Sequence, residues 1–125
     1  MGCTFQIPIV TVDSWSDAQV LLQECNIYAA TMDEKESNKS GTVLSIPHYK
    51  VHWTASNTPS ALVIGSEGNG LSHSVREAVA DGTLQAIHIT MEAGIESLNA
   101  AVCGSVILFE YQRQCLCHVD TARSL

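Results

Sequence analysis

The chain has 125 residues, of which 46% are hydrophobic and 15% are charged. This length and composition predict one globular domain with a core of its own, and they exclude a chain that is disordered throughout. The 6 Lys and Arg residues against 13 Asp and Glu residues give a formal charge of −7. That balance argues against a free-standing basic nucleic-acid module, because affinity for a phosphate backbone comes mainly from Lys and Arg.

The first third of the chain predicts a strand, a helix and a second strand. Residues 5–10 and 27–32 are short runs of β-branched, aromatic and apolar residues, which are typical of strands. Between them apolar residues recur at helical spacing, and Ser14 or Ser16 can cap the start of that helix. Residues 33–41 are charged or small, so we expect an exposed loop there.

The middle of the chain predicts fewer regular elements. Residues 42–46 are one possible strand, and a long linker follows them. Residues 61–64 form a continuous apolar run, which suits a strand covered on both faces, as in a parallel sheet. A capping box at residues 74–77 predicts a helix up to about residue 80, with Ser72 as an alternative cap.

The last third predicts a strand over residues 86–89 and a long helix from about residue 95 to residue 115. The alternation of strands and helices indicates an α/β fold with a mostly parallel sheet and helices on both faces. Gly104 lies inside the long helix, where glycine costs about 1 kcal/mol relative to alanine. We therefore expect another part of the chain to pack tightly against it.

The cysteines and histidines predict neither disulfides nor a metal site. Five cysteines are an odd number and form no CxxC pair, so we expect reduced thiols in an intracellular compartment, either the cytoplasm or an organelle. The five histidines are scattered without metal-ligand spacing, so we expect solvated or packed side chains. The chain also has no run of about 18 apolar residues that would predict a membrane span.

The most informative segment is the glycine-rich turn at residues 65–70, which directly follows a predicted strand. Three glycines in six residues let the backbone turn tightly and approach a ligand closely. A dinucleotide fingerprint is excluded because Glu67 stands where a small residue should approach a pyrophosphate, and its carboxylate would repel that group. A phosphate loop is excluded because no Gly-Lys-Ser/Thr follows. Taken alone, the turn could equally be structural, with Glu67 accepting backbone hydrogen bonds.

A second polar cluster, Ser97-Leu98-Asn99, opens the predicted long helix. Serine and asparagine at a helix N-terminus either cap free N–H groups or present polar atoms to a ligand. The two segments together, IGSEGNGLS and IHITMEAGIESLNAAVCGSVILFEYQRQ, resemble the second and third motifs of the SpoU family. This family consists of RNA ribose 2′-O-methyltransferases of the SPOUT, or α/β-knot, superfamily. The resemblance covers residues 61–114 closely.

The resemblance implies one SpoU-type domain over residues 1–125, with a C-terminal trefoil knot over about residues 61–115 that holds S-adenosylmethionine. It also implies ribosomal or transfer RNA as the substrate, a homodimer, and no metal. The residues that it assigns to cofactor binding are Gly65, Glu67, Gly68, Ile89, Met91, Leu98 and Asn99.

The candidate catalytic residues under this resemblance are Ser97, Asn99 and Glu67. Ser97 and Asn99 match polar residues close to the reaction centre, while we expect Glu67 to shape the loop in preference to acting as a base. Methyl transfer requires the sulfonium carbon and the ribose 2′-oxygen in line at contact distance, and the oxygen must lose its proton.

The chain departs from the family pattern at its start, where the first motif, with an Asn and an Arg assigned to catalysis, has no counterpart. We therefore expect an N-terminally truncated domain whose activity as this short chain is impaired. Two alternatives stay open. One is a catalytically silent subunit that binds cofactor or RNA, and the other is an interaction module that dimerises through the helix at residues 97–115.

Overall fold

The computed structural model describes residues 7–31, 35–38, 41–66, 68–92 and 98–123. Its helices are α1 (Trp15–Leu21), α2 (His73–Ala80) and α3 (Ala100–Arg123), and a 3₁₀ turn covers His48–Lys50. Its strands are β1 (Asn26–Thr31), β2 (Lys35–Asn38), β3 (Gly41–Leu44), β4 (Ile46–Pro47), β5 (Ser60–Ile64) and β6 (Gln85–His88). No helix within these ranges is both long and apolar enough to cross a membrane.

Four of the strands form one parallel sheet in the order β4-β6-β1-β5. β1 lies between β5 and β6, with Ala29 opposite Val63 on one side and opposite Ala86 on the other. β1, β5 and β6 coincide with short apolar runs of the sequence, and such runs suit strands that are covered on both faces. The predicted α/β fold with a mostly parallel sheet is confirmed.

Two cores lie on the two faces of this sheet, because successive side chains of a strand point to opposite sides. Ile27 and Ala29 belong to the core under α1 and α2, whereas Ala30 packs with Cys103 and Ile107 of α3 on the other face. Helices therefore cover both faces, as predicted.

The predicted loop at residues 33–41 is wrong over Lys35–Asn38 and at Gly41, which lie in strands. β2 and β3 pair as an antiparallel hairpin, with Lys35 opposite Leu44 and Asn38 opposite Gly41. The ladder of such a hairpin is made of backbone hydrogen bonds, which need no particular side chains and therefore no hydrophobic periodicity in the sequence. A charged segment without an apolar anchor therefore gave no signal for a strand.

The predicted linker after residue 46 is also wrong in part. β4 pairs with β6, and Val51 and Trp53 are buried in the core on the α3 side. Two isolated apolar residues do not form a periodic pattern, so the sequence could not reveal their burial. The strand predicted at residues 5–10 is absent over the described part, since residues 7–10 are exposed and unpaired.

The helix caps decide between the alternatives left by the sequence. The Ser14 hydroxyl accepts a hydrogen bond from the Asp17 N–H at 3.2 Å and caps α1. At α2 the cap is Ser72, which accepts from the Val75 N–H at 3.4 Å, so the predicted capping box at residues 74–77 is wrong. α3 continues to Arg123, beyond the predicted end at residue 115.

The side chain of Gln114 on α3 hydrogen-bonds the backbone of Val51 and Trp53, which follow the 3₁₀ turn. Its side-chain amide donates to the Val51 carbonyl at 2.8 Å, and its carbonyl oxygen accepts from the Trp53 N–H at 3.0 Å. The Trp53 ring lies 4.5 Å from the Tyr28 ring of β1, centroid to centroid. The amide thus satisfies two backbone groups beside the aromatic part of this core.

Replacing Gln114 with alanine is expected to lower the free energy of unfolding by about 1–3 kcal/mol, because it leaves these two backbone groups without their partner. Gln112 is exposed on the same helix, and Gln112→Ala is the matched control, with an expected change within about 0.5 kcal/mol. Urea unfolding of both variants measures the difference. Equal unfolding free energies for the two variants would show that the bridge contributes nothing.

Candidate functional site

The loops after β5 and β6 leave the same edge of the sheet. Both strands run parallel to β1 and flank it, so their carboxyl ends lie about 10 Å apart at the usual strand spacing. Gly65 follows β5 directly, and Ile89 follows β6 directly. Open α/β sheets bind ligands at this edge.

The turn after β5 is closed on itself by backbone hydrogen bonds. The Gly70 N–H donates to the Ser66 carbonyl at 2.8 Å, and the Ser66 N–H donates to the Gly70 carbonyl at 3.1 Å. The Ser66 hydroxyl also accepts from the Asn69 N–H at 3.3 Å. Gly70 has φ +65°, in the left-handed region that favours glycine.

Gly65 is fixed as glycine by contact between two stretches of backbone. A Cβ atom placed on it would lie 2.6 Å from the Leu71 nitrogen and closer still to the carbonyl group of Gly70. These are backbone atoms of the closed turn, so they cannot swing away as a side-chain end can. The close contact between these two stretches of backbone therefore requires a residue without a side chain at position 65.

A cleft of about 370 Å³ opens beside this turn, within the usual size range of small-molecule sites. Its polar lining comes from Ser66, Asn69 and Ser72, and its apolar floor includes Val63 and Val75. These three polar residues were not among the candidates predicted from sequence, although their position between and after the glycines was an available signal.

The start of α3 is held by Asn99. Its side-chain carbonyl accepts from the Ala101 N–H at 2.8 Å, and its backbone carbonyl accepts from the Cys103 N–H at 2.9 Å. This is the arrangement of a helix N-cap. Leu98, just before it, packs with Ile89 against the core on the α3 side. The segment after β6 and the start of α3 are thus joined through one core.

Gly104 brings α3 close to the end of β5. A Cβ atom on Gly104 would lie 2.7 Å from the Cδ1 atom of Ile64, the residue just before Gly65. The expected tight packing against this glycine is confirmed. It links the helix to the strand that carries the glycine-rich turn.

The predicted site residues fall into three groups. Gly65 lines the cleft, and Gly68 is exposed in the same turn. Ile89, Met91, Leu98 and Asn99 lie after β6 and at the start of α3, outside the lining of that cleft. Glu67 and Ser97 lie outside the described residues.

Several titratable side chains on α3 have pKa values shifted from their ordinary range. Hydrogen bonds from Arg113 and then from Gln114 lower the pKa of Glu110 to about 2, and the Glu110 carboxylate raises the pKa of Arg113. Burial raises the pKa of the Cys103 thiol, which keeps it neutral. Within the described ranges, no three His, Cys, Asp or Glu side chains converge on a point where a metal ion could bind.

The Glu110 pair predicts a specific acid dependence of stability. Folding lowers the pKa of the Glu110 carboxyl to about 2. The stabilisation from its ionised form is therefore present above the unfolded pKa near 4.5 and is lost as the pH falls toward 2. We expect the fall in melting temperature between pH 6 and pH 3 to be smaller in Glu110→Gln than in the wild type. Arg113→Gln should show the same reduction, and an unchanged slope in both variants would contradict the pairing.

Comparisons with known proteins agree with this geometry. The family model described as "SpoU rRNA Methylase family" matches residues 1–109. The chain is 26% identical to the mitochondrial rRNA methyltransferase 3A of Danio rerio, over 98% of this chain and 35% of that protein. It is 32% identical to the 23S rRNA (guanosine-2′-O-)-methyltransferase RlmB of Pectobacterium atrosepticum, over 90% of this chain and 40% of that protein. The chain thus spans well under half of these relatives.

Two solved structures share the fold. A putative RNA methyltransferase from Bacillus anthracis superposes with a TM-score of 0.64 at 19% identity, covering 82% of this chain and 56% of that one. The SpoU methyltransferase AviRb from Streptomyces viridochromogenes, in complex with AdoMet, superposes with a TM-score of 0.55 at 23% identity. The superposition covers 82% of this chain and 34% of that one.

Proposed function

The chain belongs to the SpoU rRNA Methylase family, and on that premise we propose that it binds S-adenosylmethionine and serves in 2′-O-methylation of ribosomal or transfer RNA. The observation that carries the proposal is the glycine turn after β5, held at the same sheet edge as the segment after β6. A trefoil knot over about residues 61–115 is part of the proposal. The fold likeness to an AdoMet-bound methyltransferase supports it.

The residues present fit such a cofactor at two places. Gly65 borders a cleft whose Ser66, Asn69 and Ser72 side chains suit the polar parts of a nucleoside and an amino acid. Gly65, Glu67 and Gly68 would hold it from the β5 side, and Ile89, Met91, Leu98 and Asn99 from the β6 and α3 side. When bound, S-adenosylmethionine supplies an electrophilic methyl group.

The protein's own part in the reaction is to place a ribose hydroxyl so that its oxygen attacks the methyl group, while the hydroxyl proton passes to water. We assign the placing to Asn99 and Ser97, since polar groups at a helix N-terminus stabilise charge that develops on an oxygen. Glu67 is assigned to shaping the loop. RNA is the substrate class because only RNA carries a 2′-hydroxyl.

One experiment tests this function directly. The purified chain is incubated with unmodified ribosomal or transfer RNA and methyl-labelled S-adenosylmethionine, and the digested nucleosides are separated by mass spectrometry. We expect the label on ribose, because the 2′-hydroxyl is the proposed acceptor of the methyl group. Label on a base would overturn the proposed chemistry, and absence of both labelling and calorimetric cofactor binding would overturn the function.

A second candidate function is a non-catalytic subunit that binds cofactor or RNA. The formal charge of −7 favours the cofactor-binding form of this candidate, because the chain has little attraction of its own for a phosphate backbone and a partner would have to hold the RNA. Calorimetric binding of S-adenosylmethionine without any labelling of RNA would favour this candidate.

We further propose that the chain forms a homodimer through α3. Val102, Phe109 and Leu116 follow one another at seven-residue spacing and are 48%, 74% and 56% exposed. A stripe at this spacing lies on one face of a helix and is typical of a helix that packs against another. Val102 and Phe109 line a groove of about 610 Å³, which His48 and Arg113 also line, so a second copy of α3 has a surface to occupy.

Replacing Phe109 with serine is expected to raise the dissociation constant of the dimer by about tenfold or more, because two copies of a large apolar side chain are removed from the interface. His118 is exposed on the opposite side of α3, and His118→Ser is the matched control. Sedimentation equilibrium measures both constants. A wild-type chain that stays monomeric at micromolar concentration would contradict the dimer.

A further inference from the structure

A buried polar pair lies at the carboxyl end of β6. The Oγ atom of Ser45 and the Nδ1 atom of His88 are hydrogen-bonded at 2.6 Å, and the two residues are only 9% and 5% exposed. The hydroxyl donates when the imidazole carries its proton on Nε2. Nothing in the proposed chemistry uses either side chain.

The position of the pair relates it to the candidate site. His88 is the last residue of β6, opposite Thr31 of β1 and Pro47 of β4. Ser45 lies between β3 and β4, 43 residues away along the chain. The bond therefore joins the end of β6 to the chain entering the edge strand β4.

The residue after His88 is Ile89, which packs with Leu98 against the core on the α3 side. The direction in which the chain leaves β6 thus sets where residues 89–91 lie. Apolar packing alone tolerates small shifts, whereas a hydrogen bond between two buried groups is directional and is retained because both groups have lost water.

We propose that Ser45 and His88 are positioning residues that fix residues 89–91 for cofactor binding. This inference rests on the proposed function, since it assigns those residues a role at the same site. At 5% exposure the imidazole is enclosed, so it acts through the backbone that it holds. It is a positioning residue and not a proton carrier.

The test uses the whole 125-residue chain and two measurements. Backbone amide exchange without cofactor reports how well residues 89–91 are held, and calorimetry reports the dissociation constant for S-adenosylmethionine. We expect Ser45→Ala to speed exchange at residues 89–91 and to weaken cofactor binding about tenfold. Ser45→Thr, which keeps a hydroxyl, should restore both. Ser60 is exposed at the start of β5, and Ser60→Ala is the matched control.

Each outcome decides between the two proposals. Faster exchange together with weaker binding in Ser45→Ala supports the positioning role. Wild-type affinity in a folded Ser45→Ala chain overturns it, whether or not the melting temperature falls, and leaves the proposed function intact. A wild-type chain that binds no cofactor overturns the proposed cofactor binding and this role together. His88→Asn offers a second variant, since the asparagine amide can hydrogen-bond the Ser45 hydroxyl. We expect the His88→Asn chain to bind S-adenosylmethionine more tightly than the His88→Leu chain.

Discussion

Replacing Gly65 with alanine is expected to destabilise the fold by about 3 kcal/mol and to abolish binding of S-adenosylmethionine. The new Cβ atom would lie 2.6 Å from the Leu71 nitrogen and nearer to the Gly70 carbonyl group. The turn that carries these atoms is closed by two backbone hydrogen bonds between Ser66 and Gly70. Relief of the clash would therefore have to open the turn and with it the proposed cofactor cleft.

Two other glycines separate this effect from the general cost of losing a glycine. Gly68 has no atom within 4 Å of an added Cβ, so Gly68→Ala should change the unfolding free energy by less than about 0.5 kcal/mol. Gly82 is equally open but has φ +88°, so Gly82→Ala should cost about 1 kcal/mol through backbone strain alone.

Urea unfolding of the three variants and calorimetry with S-adenosylmethionine provide the measurements. We expect the order Gly65→Ala, Gly82→Ala, Gly68→Ala in loss of stability. If Gly65→Ala were as stable as Gly68→Ala, the turn could open at no cost and the close crossing after β5 would not constrain the site.

The sequence predicted this turn because its signal is local. Three glycines after a buried apolar run indicate a tight turn at the end of a strand, and β5, β6 and β1 all lie within about one residue of their predicted bounds. Which glycine is indispensable could not be predicted in that way. Gly65 is restricted by atoms five and six residues further along, and only the closed turn brings them together.

The missed elements share a different physical cause. Val51 and Trp53 are buried because Gln114, more than sixty residues later, satisfies their backbone groups. The Ser45–His88 bond spans 43 residues. Contacts of this length depend on the assembled sheet and leave no periodic pattern in the sequence. The candidate site was therefore predictable at its glycine turn but not in the buried contacts that hold its second half.

Asn99 has an observed role and a proposed one, and substitutions can separate the two. It caps α3 through its bond from the Ala101 N–H, and we have proposed that it helps to place the ribose hydroxyl. Asn99→Ala removes both and should lower the unfolding free energy by about 1 kcal/mol. Asn99→Asp retains a cap acceptor, and a negative charge at a helix N-terminus is favourable, so its stability should equal or exceed that of the wild type.

The two roles then separate in single-turnover methylation with excess protein. Asn99→Asp loses the amide donor and adds a charge where negative charge develops on oxygen, so we expect transfer to slow by about 100-fold or more although the helix stays capped. Asn57 is exposed before the start of β5, whereas the glycine turn follows the end of that strand, and Asn57→Asp controls for the added charge. Wild-type transfer by Asn99→Asp would reduce Asn99 to a helix cap, and the placing of the hydroxyl would then fall to Ser97 alone.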